Sequence, residues 1–129
     1  MSEVPVDRFY LSSHEWAQEG DDGVVTIGIT DFAASELGEL VYIELPGEGE
    51  DVHFEQQFGE IESVKAVSAL NSPISGQVIE SNASLLDSQE PITDSPFDEG
   101  WMLKIKPADD SWKDQLMNPA DYESQLNNS

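Results

Sequence analysis

One lysine is the most distinctive candidate for chemistry in this sequence. Lys65 is the only lysine or arginine between Arg8 and Lys104, in a chain with 5 such residues and 27 acidic ones. It stands at the end of a predicted strand, among small and apolar neighbours. An amine presented on a turn can serve covalent modification or Schiff-base chemistry. Lysine is also mostly exposed to water, so position alone favours a solvated turn residue.

The two histidines are weaker candidates. His53 lies among four acidic residues between positions 48 and 55. It has no second histidine and no regular ligand spacing beside it, so a solvated loop is the better interpretation than a metal site. His14 fits a packed or capped polar residue better than a general base, because no Ser/His/Asp arrangement can be assigned. The sequence predicts no catalytic set and no metal site.

The length, the net charge and the lack of cysteine limit the kinds of molecule that this protein can bind. A chain of 129 residues suffices for one domain, and its formal charge of −22 should repel phosphate backbones and anionic lipid. The sequence therefore predicts neither nucleic-acid nor membrane partners. It has no cysteine, so any sulfur redox chemistry must be imported. The first eleven residues contain no apolar signal core, which favours a cytoplasmic chain of bacterial type, although a mature mitochondrial chain would look similar.

Short apolar runs predict the strands that must position Lys65. The segment 24–29 is rich in β-branched residues, and Trp101, Leu103 and Ile105 alternate with Met102 and two lysines. Strands are predicted at 24–29, 40–45, 60–64, 74–79 and 101–106, with Lys65 to Pro73 between two of them.

Helices are predicted as short additions to these strands. Phe32 to Leu37 fits a short helix, with Thr30 or Asp31 as N-cap and Gly38 as C-cap. Trp112 and Leu116 share a helical face, and the pair 118–119, Asn-Pro, predicts the start of a terminal helix. The chain is therefore predicted to be mainly β, with helices near the middle and at the end.

The segment around Lys65 resembles the lipoyl-attachment motif of the H proteins of the glycine cleavage system. That motif here reads Glu62-Ser63-Val64-Lys65-Ala66. Seven further blocks match the same family in order between about Tyr10 and Tyr122: His14-Glu15-Trp16, Gly28-Ile29-Thr30-Asp31, Leu37-Gly38-Glu39, Glu44-Leu45-Pro46, Ser72-Pro73-Ile74-Ser75-Gly76, Asn82 and Gly100-Trp101. One short motif recurs by chance, but blocks in this order identify the chain as a member of the family.

The resemblance implies a fold and a cofactor. The fold is a lipoyl/biotinyl-type barrel-sandwich hybrid with short added helices. Residues 1–129 would form a single lipoyl-carrier domain with a C-terminal helical tail. The cofactor is lipoate, joined to Lys65 by an amide bond that removes the charge of the lysine. The motif residues that would present it on a hairpin tip are Glu62, Ser63, Val64 and Ala66.

The surroundings of the arm are also implied, with two departures from the family. Ser13 and Glu15 are the contacts that the resemblance suggests for the lipoyl arm. Ala69 stands four residues after the modified lysine, where many relatives have Asp. Thr93 stands where the family often has Asn. Neither departure touches the attachment motif.

The resemblance further implies a carrier rather than an enzyme. The chain would receive the aminomethyl group of glycine at the pyridoxal-phosphate-dependent glycine decarboxylase (P protein). It would deliver that group to the tetrahydrofolate-dependent aminomethyltransferase (T protein), and dihydrolipoyl dehydrogenase (L protein) would then reoxidise the carrier. Lipoate-attaching enzymes would be further partners. The hard chemistry would belong to the cofactor and these enzymes.

Four other functions share some of these features. An H-like protein that relays lipoate to other enzymes would have the same lysine and most of the blocks, and is the runner-up. A biotinyl carrier usually places its lysine between methionines, whereas Val64 and Ala66 flank Lys65. A lipoyl domain of a 2-oxo acid dehydrogenase usually shows Asp-Lys-Ala within a long multidomain chain. An acidic interaction protein would leave Lys65 unmodified.

Overall fold

The protein is built mainly from short β-strands. A computed structural model describes residues 4–20 and 22–127. The strands in chain order are β1 Phe9–Tyr10, β2 Glu15–Glu19, β3 Val25–Ile29, β4 Leu40–Glu44, β5 Asp51–Val52, β6 Gln57–Ser63, β7 Val67–Asn71, β8 Gly76–Ser81 and β9 Leu103–Pro107.

The strands form two antiparallel sheets. The larger has six strands in the order β1-β2-β3-β9-β8-β5, and the smaller has three in the order β4-β6-β7. Their apolar side chains meet in one core, since Ile27 and Ile105 of the larger sheet are fully buried in the same cluster as Ile43, Ile61 and Leu70 of the smaller one. The two sheets therefore pack face to face, as the barrel-sandwich prediction requires. Nine hydrogen-bonded strands among the described residues, with helices at the margins, confirm the mainly β fold class.

The helices are short. They are α1 Asp31–Leu37, α2 Ser84–Asp87, α3 Glu90–Asp94, a 3-10 helix Asp110–Gln115 and α4 Pro119–Asn127. Thr30 is the N-cap of α1, because its hydroxyl accepts the amide of Ala33, and Gly38 ends the helix with a φ of 76°. Asn118 caps α4 by accepting the amide of Asp121 at 2.8 Å. The three predicted caps, Thr30, Gly38 and Asn118, are thus confirmed.

The main correction concerns the segment after Lys65. Residues 65–73 were predicted as a connection between strands, but Val67–Asn71 forms β7 and pairs with β6. Ser68, Ala69 and Asn71 have little intrinsic preference for strands, so pairing and the burial of Leu70 override local propensity. A smaller correction concerns Met102, which was predicted on the polar face and is fully buried.

Five further elements among the described residues have no counterpart in the prediction: β1, β2, β5, α2 and α3. Strand β2 joins the larger sheet by pairing along its whole length with β3. Within the described ranges, no helix is long and apolar enough to cross a membrane.

Candidate functional site

Lys65 lies at the tip of the β6–β7 hairpin. The backbone amide of Ser63 donates to the carbonyl of Ala66 at 2.8 Å, which closes the hairpin around Val64 and Lys65. The buried Ser63 hydroxyl accepts the amides of Lys65 at 3.3 Å and Ala66 at 3.1 Å. A serine side chain thus replaces the backbone acceptor in this turn. The lysine is exposed, while the backbone beneath it is fixed.

The hairpin tip is also attached to the end of α1. The amide of Val64 donates to the carbonyl of Glu39 at 3.0 Å. Cε of Lys65 lies 3.9 Å from the position that a Cβ would take on Gly38. The lysine stem therefore lies beside the C-terminal end of α1.

The structure brings the predicted motif residues together around Lys65. Glu62 is the last residue of β6 to pair with both neighbouring strands, opposite Tyr42 of β4 and Val67 of β7. Val64 and Val67 are 67% and 58% exposed, and Tyr42 is 47% exposed. The lysine thus stands beside an exposed apolar surface, which in a protein of this acidity is typical of a contact with another molecule.

A cleft of about 250 Å³ opens beside the same hairpin. Its apolar walls come from both sheets and from α1, and include Ile29, Phe32, Leu37, Ile61 and Leu70. Because Leu70 belongs to β7, the strand that begins two residues after Lys65, the cleft and the lysine share one rigid element. A chain attached to Lys65 could therefore fold back into this cleft.

Two carboxylates and a histidine are the ionisable groups that line the cleft. Glu15 is only 2% exposed, and it accepts hydrogen bonds from the Ser13 hydroxyl and from the Asn71 amide, the latter at 3.0 Å. Burial raises the pKa of the Glu15 carboxyl to about 7, although both hydrogen bonds oppose this shift. Glu36 lies on the exposed side of α1 and also lines the cleft. An organic cation that entered here would find a buried carboxylate ready to ionise.

His14 lies next to Glu15 in a backbone conformation that is uncommon for residues other than glycine. Its φ is 79°, in the left-handed region. Its Nδ1 lies 2.7 Å from the hydroxyl of Tyr122, and its ring packs against Phe32 with centroids 4.8 Å apart. Burial lowers the pKa of the His14 imidazole, and the charge of Glu36 opposes that shift. The histidine is thus held in the wall of the cleft.

The site contains residues that sequence reasoning did not identify. Tyr122, Phe32 and Glu36 were not proposed as part of any site, because they lie far from Lys65 in the chain. Tyr122 is separated from His14 by 108 residues, and only the docking of α4 brings them together. Glu36 lies on α1, one residue before the apolar Leu37. Nothing in the local sequence distinguishes it from an ordinary solvated acid.

The other sequence candidates lie elsewhere or play local roles. His53 lines a separate shallow groove with Lys106 and Pro107, and among residues 4–20 and 22–127 no three potential metal-ligating side chains cluster. Ala69 is exposed at the edge of the cleft and pairs directly with Glu60, so an acid at this position would stand opposite another acid. Thr93 donates its hydroxyl to the carbonyl of Glu90 within α3.

Comparisons with known proteins agree on one family. Residues 8–129 match the family described as glycine cleavage H-protein. The chain is 48% identical over 124 residues to the probable glycine cleavage system H protein of Natronomonas pharaonis, covering 96% of this chain and 97% of that protein. It is 44% identical to the glycine cleavage system H protein of Oceanobacillus iheyensis, covering 94% and 95% respectively.

A solved structure shows the same fold. The crystal structure of a glycine cleavage system H protein from Mycobacterium marinum superposes with a TM-score of 0.86, at 36% sequence identity. The match covers 96% of this chain and 99% of that one.

Proposed function

The chain belongs to the glycine cleavage H-protein family, and on that premise we propose that Lys65 is the residue that carries its lipoyl group. Members of this family are lipoate-carrying components of the glycine cleavage system and not catalysts themselves. The single observation that supports Lys65 is its place on an exposed hairpin tip, fixed by the hydroxyl of Ser63. The motif residues Glu62, Ser63, Val64 and Ala66 form that tip.

The residues around Lys65 fit a lipoyl group. The amine is exposed, so an attaching enzyme can reach it, and the nearby cleft has apolar walls that suit an aliphatic arm with a sulfur-containing ring. Lipoate in amide linkage supplies a disulfide that accepts the aminomethyl group of glycine and a dithiol that can be reoxidised. The cysteine-free chain has no other source of that chemistry. The protein's own contribution is to present, orient and protect the lipoyl arm.

Glu15 and Ser13 give the cleft its selectivity for a cation. A primary amine in the cleft would be held in its protonated form by the Glu15 carboxylate, whose own ionisation the amine would favour in turn. The Ser13 hydroxyl and the Asn71 amide orient that carboxylate through their hydrogen bonds. Protonation ties up the nitrogen lone pair, which is the pair that would expel a neighbouring thiol. The cleft thereby slows premature loss of the amine.

The partners follow from the same proposal. The carrier would visit the P, T and L proteins in turn, after a lipoate-attaching enzyme had modified Lys65. The apolar surface of Val64, Val67 and Tyr42 would contact these enzymes at the lysine, and the charge of −22 would favour positively charged entrances. Residues 1–129 would act as one carrier domain, and we place it in the cytoplasm.

The Lys65→Arg substitution tests this proposal in the complete system. Arginine keeps the positive charge on an exposed turn but cannot form the lipoyl amide. We expect complete loss of glycine cleavage with the three partner enzymes, and a change in unfolding free energy of no more than about 0.5 kcal/mol. Lys106→Arg, on an exposed position of β9, is the matched control and should retain full activity.

Two results would reject the proposal. Residual carrier activity in pure Lys65→Arg protein would place the lipoyl group elsewhere. A lipoylated wild-type chain that fails with the three enzymes but donates its lipoate to other lipoyl proteins would indicate the relay function instead. The buried Glu15 favours the carrier, because relaying lipoate requires no site for a cation.

A further inference from the structure

A chain of hydroxyl groups connects the start of α1 to the cleft through the C-terminal helix. The Oγ1 of Thr30 lies 2.7 Å from the hydroxyl oxygen of Tyr122, which in turn lies 2.7 Å from Nδ1 of His14. Thr30 and Tyr122 are both fully buried. The ring of Tyr122 stacks on Tyr10 with centroids 4.5 Å apart, so the hydroxyl has little freedom to move. Helix α4 thus contributes one polar atom to the rear of the cleft wall.

In the hydrogen-bonded series Thr30–Tyr122–His14, only one arrangement gives each hydroxyl hydrogen an acceptor. The Thr30 oxygen already accepts the amide of Ala33 at 3.3 Å, and its only other side-chain partner among the described residues is Tyr122. The Thr30 hydroxyl hydrogen must therefore go to Tyr122, or remain buried without an acceptor at considerable cost. Tyr122 then donates its own hydrogen to Nδ1 of His14. A neutral imidazole that accepts at Nδ1 carries its proton on Nε2.

We propose that Tyr122 is a positioning residue of the cleft: its hydroxyl, backed by Thr30, holds His14 as a neutral ring with the proton on Nε2. The proposal rests on the function proposed above, because its consequence concerns the cationic end of a loaded arm. A protonated His14 beside Glu15 would repel an ammonium group and compete for the same carboxylate. Donation to Nδ1 stabilises the neutral ring and so removes this competitor.

Several carboxylates around His14 and Tyr122 bear on the protonation of the histidine. Glu15 is adjacent in the chain, and Glu36 faces the ring from α1 and favours its protonation. Burial raises the pKa of the Tyr122 hydroxyl to about 12, the hydrogen bond with Thr30 opposes this shift, and the charges of Glu15 and Asp31 add to it. All these carboxylates favour a cation, so a hydrogen bond that keeps the histidine neutral has a clear electrostatic purpose.

Nuclear magnetic resonance of the unlipoylated protein tests the arrangement directly. The chain has only two histidines, so ¹⁵N spectra of the imidazoles assign readily, with His53 as an internal reference. At neutral and alkaline pH we expect an unprotonated Nδ1 and a protonated Nε2 at His14. In Tyr122→Phe, which keeps the ring stack, we expect a mixture of tautomers and a higher titration midpoint for His14 alone.

Tyr10→Phe is the matched control. It removes a hydroxyl that donates to the Pro5 carbonyl at 2.6 Å, from the ring stacked on Tyr122. Its His14 spectrum should equal that of the wild type. A protonated Nδ1 in the wild type, or identical His14 spectra in wild type and Tyr122→Phe, would overturn the proposal without any reference to lipoate.

The consequence for the carrier is measured separately. In lipoylated protein loaded with the aminomethyl group, Tyr122→Phe should shorten the lifetime of the loaded state near pH 6 by roughly twofold to fivefold, the factor expected for a weak, partly solvated charge pair. The effect should fade at pH 8. If the spectra are as predicted but the lifetime is unchanged, Tyr122 fixes the His14 tautomer without protecting the loaded arm, and that part of the proposal is rejected. Failure of the wild type to accept lipoate would refute the proposed function and leave the spectra as an independent result.

Discussion

The buried carboxyl of Glu15 makes the stability of this protein depend on pH in an unusual direction. The pKa of this group is about 7 in the folded protein, against an ordinary value of 4.5, because burial penalises the charged form. A group whose pKa is raised by folding contributes its full stability below the unfolded pKa, and that stability is lost as the pH rises through the folded pKa. At about 1.4 kcal/mol for each tenfold change in the ionisation constant, the complete loss is about 3 kcal/mol. Most of it falls between pH 5 and pH 8.

The Glu15→Gln substitution removes this loss and keeps the shape of the side chain. Its amide oxygen can still accept the Asn71 amide, and no group in it ionises. We therefore expect the variant and the wild type to be close in stability at pH 5, and the variant to gain about 2.5 kcal/mol relative to the wild type by pH 8. For a domain of this size that corresponds to a relative rise of roughly 10 °C in the melting temperature.

The assay is thermal and urea unfolding of unlipoylated wild type and variant across this pH range, read as a difference so that the remaining carboxylates cancel. Glu123→Gln, on an exposed position of α4, is the control and should show a flat difference. A flat difference for Glu15→Gln as well would show that Glu15 ionises normally in the folded protein. The cleft would then not be a low-dielectric site that favours a cation.

Three further predictions concern the hairpin, the sheet contact and the charge. Ser63→Ala removes the acceptor of the Lys65 and Ala66 amides, and we expect it to destabilise the fold by about 1 kcal/mol and to slow lipoylation; equal rates of lipoylation would show that the turn needs no serine. Gly59→Ala would bring a Cβ to 2.1 Å from the carbonyl oxygen of Glu44, so we expect a loss of more than about 2 kcal/mol by urea unfolding, and a smaller loss would mean that β4 and β6 separate easily. Raising the salt from 0.1 M to 1 M shortens the Debye length from about 10 Å to about 3 Å, so stopped-flow association with the partner enzymes should slow, whereas a constant rate would indicate docking by shape alone.

The position of the proposed attachment residue Lys65 could be predicted from the sequence because its signals are local. The resemblance of residues 62–66 to a lipoylation motif depends on adjacent residues, and the β-branched run of β3 and the caps of α1 likewise lie within a few positions of the elements they define. Strand β7 could not be predicted in this way, since Ser68, Ala69 and Asn71 favour a loop and form a strand only by pairing with β6. Local preference failed where tertiary pairing decided the conformation.

In the cleft, too, some features could be predicted from the sequence and others depend on tertiary packing. Ser13 and Glu15 were suggested by resemblance, and the structure places both in one hydrogen-bonded group. The raised pKa of Glu15 depends on burial by elements distant in sequence, and no local pattern reports it. The contact between His14 and Tyr122 closes only when α4 docks against the larger sheet. Long-range packing therefore determines the electrostatics of the cleft, while a local motif indicates Lys65 as the proposed attachment residue.

The most direct test of the central proposal is the mass of the protein after incubation with lipoate and a lipoate-attaching enzyme, followed by peptide mapping. Lys65 is the one lysine on the hairpin tip, and the other three lysines are Lys104, Lys106 and Lys113. We expect a single lipoyl group, located on Lys65, and an unmodified mass for Lys65→Arg. A lipoyl group on any other lysine, or an unmodified wild-type chain under conditions that modify a known H protein, would contradict it.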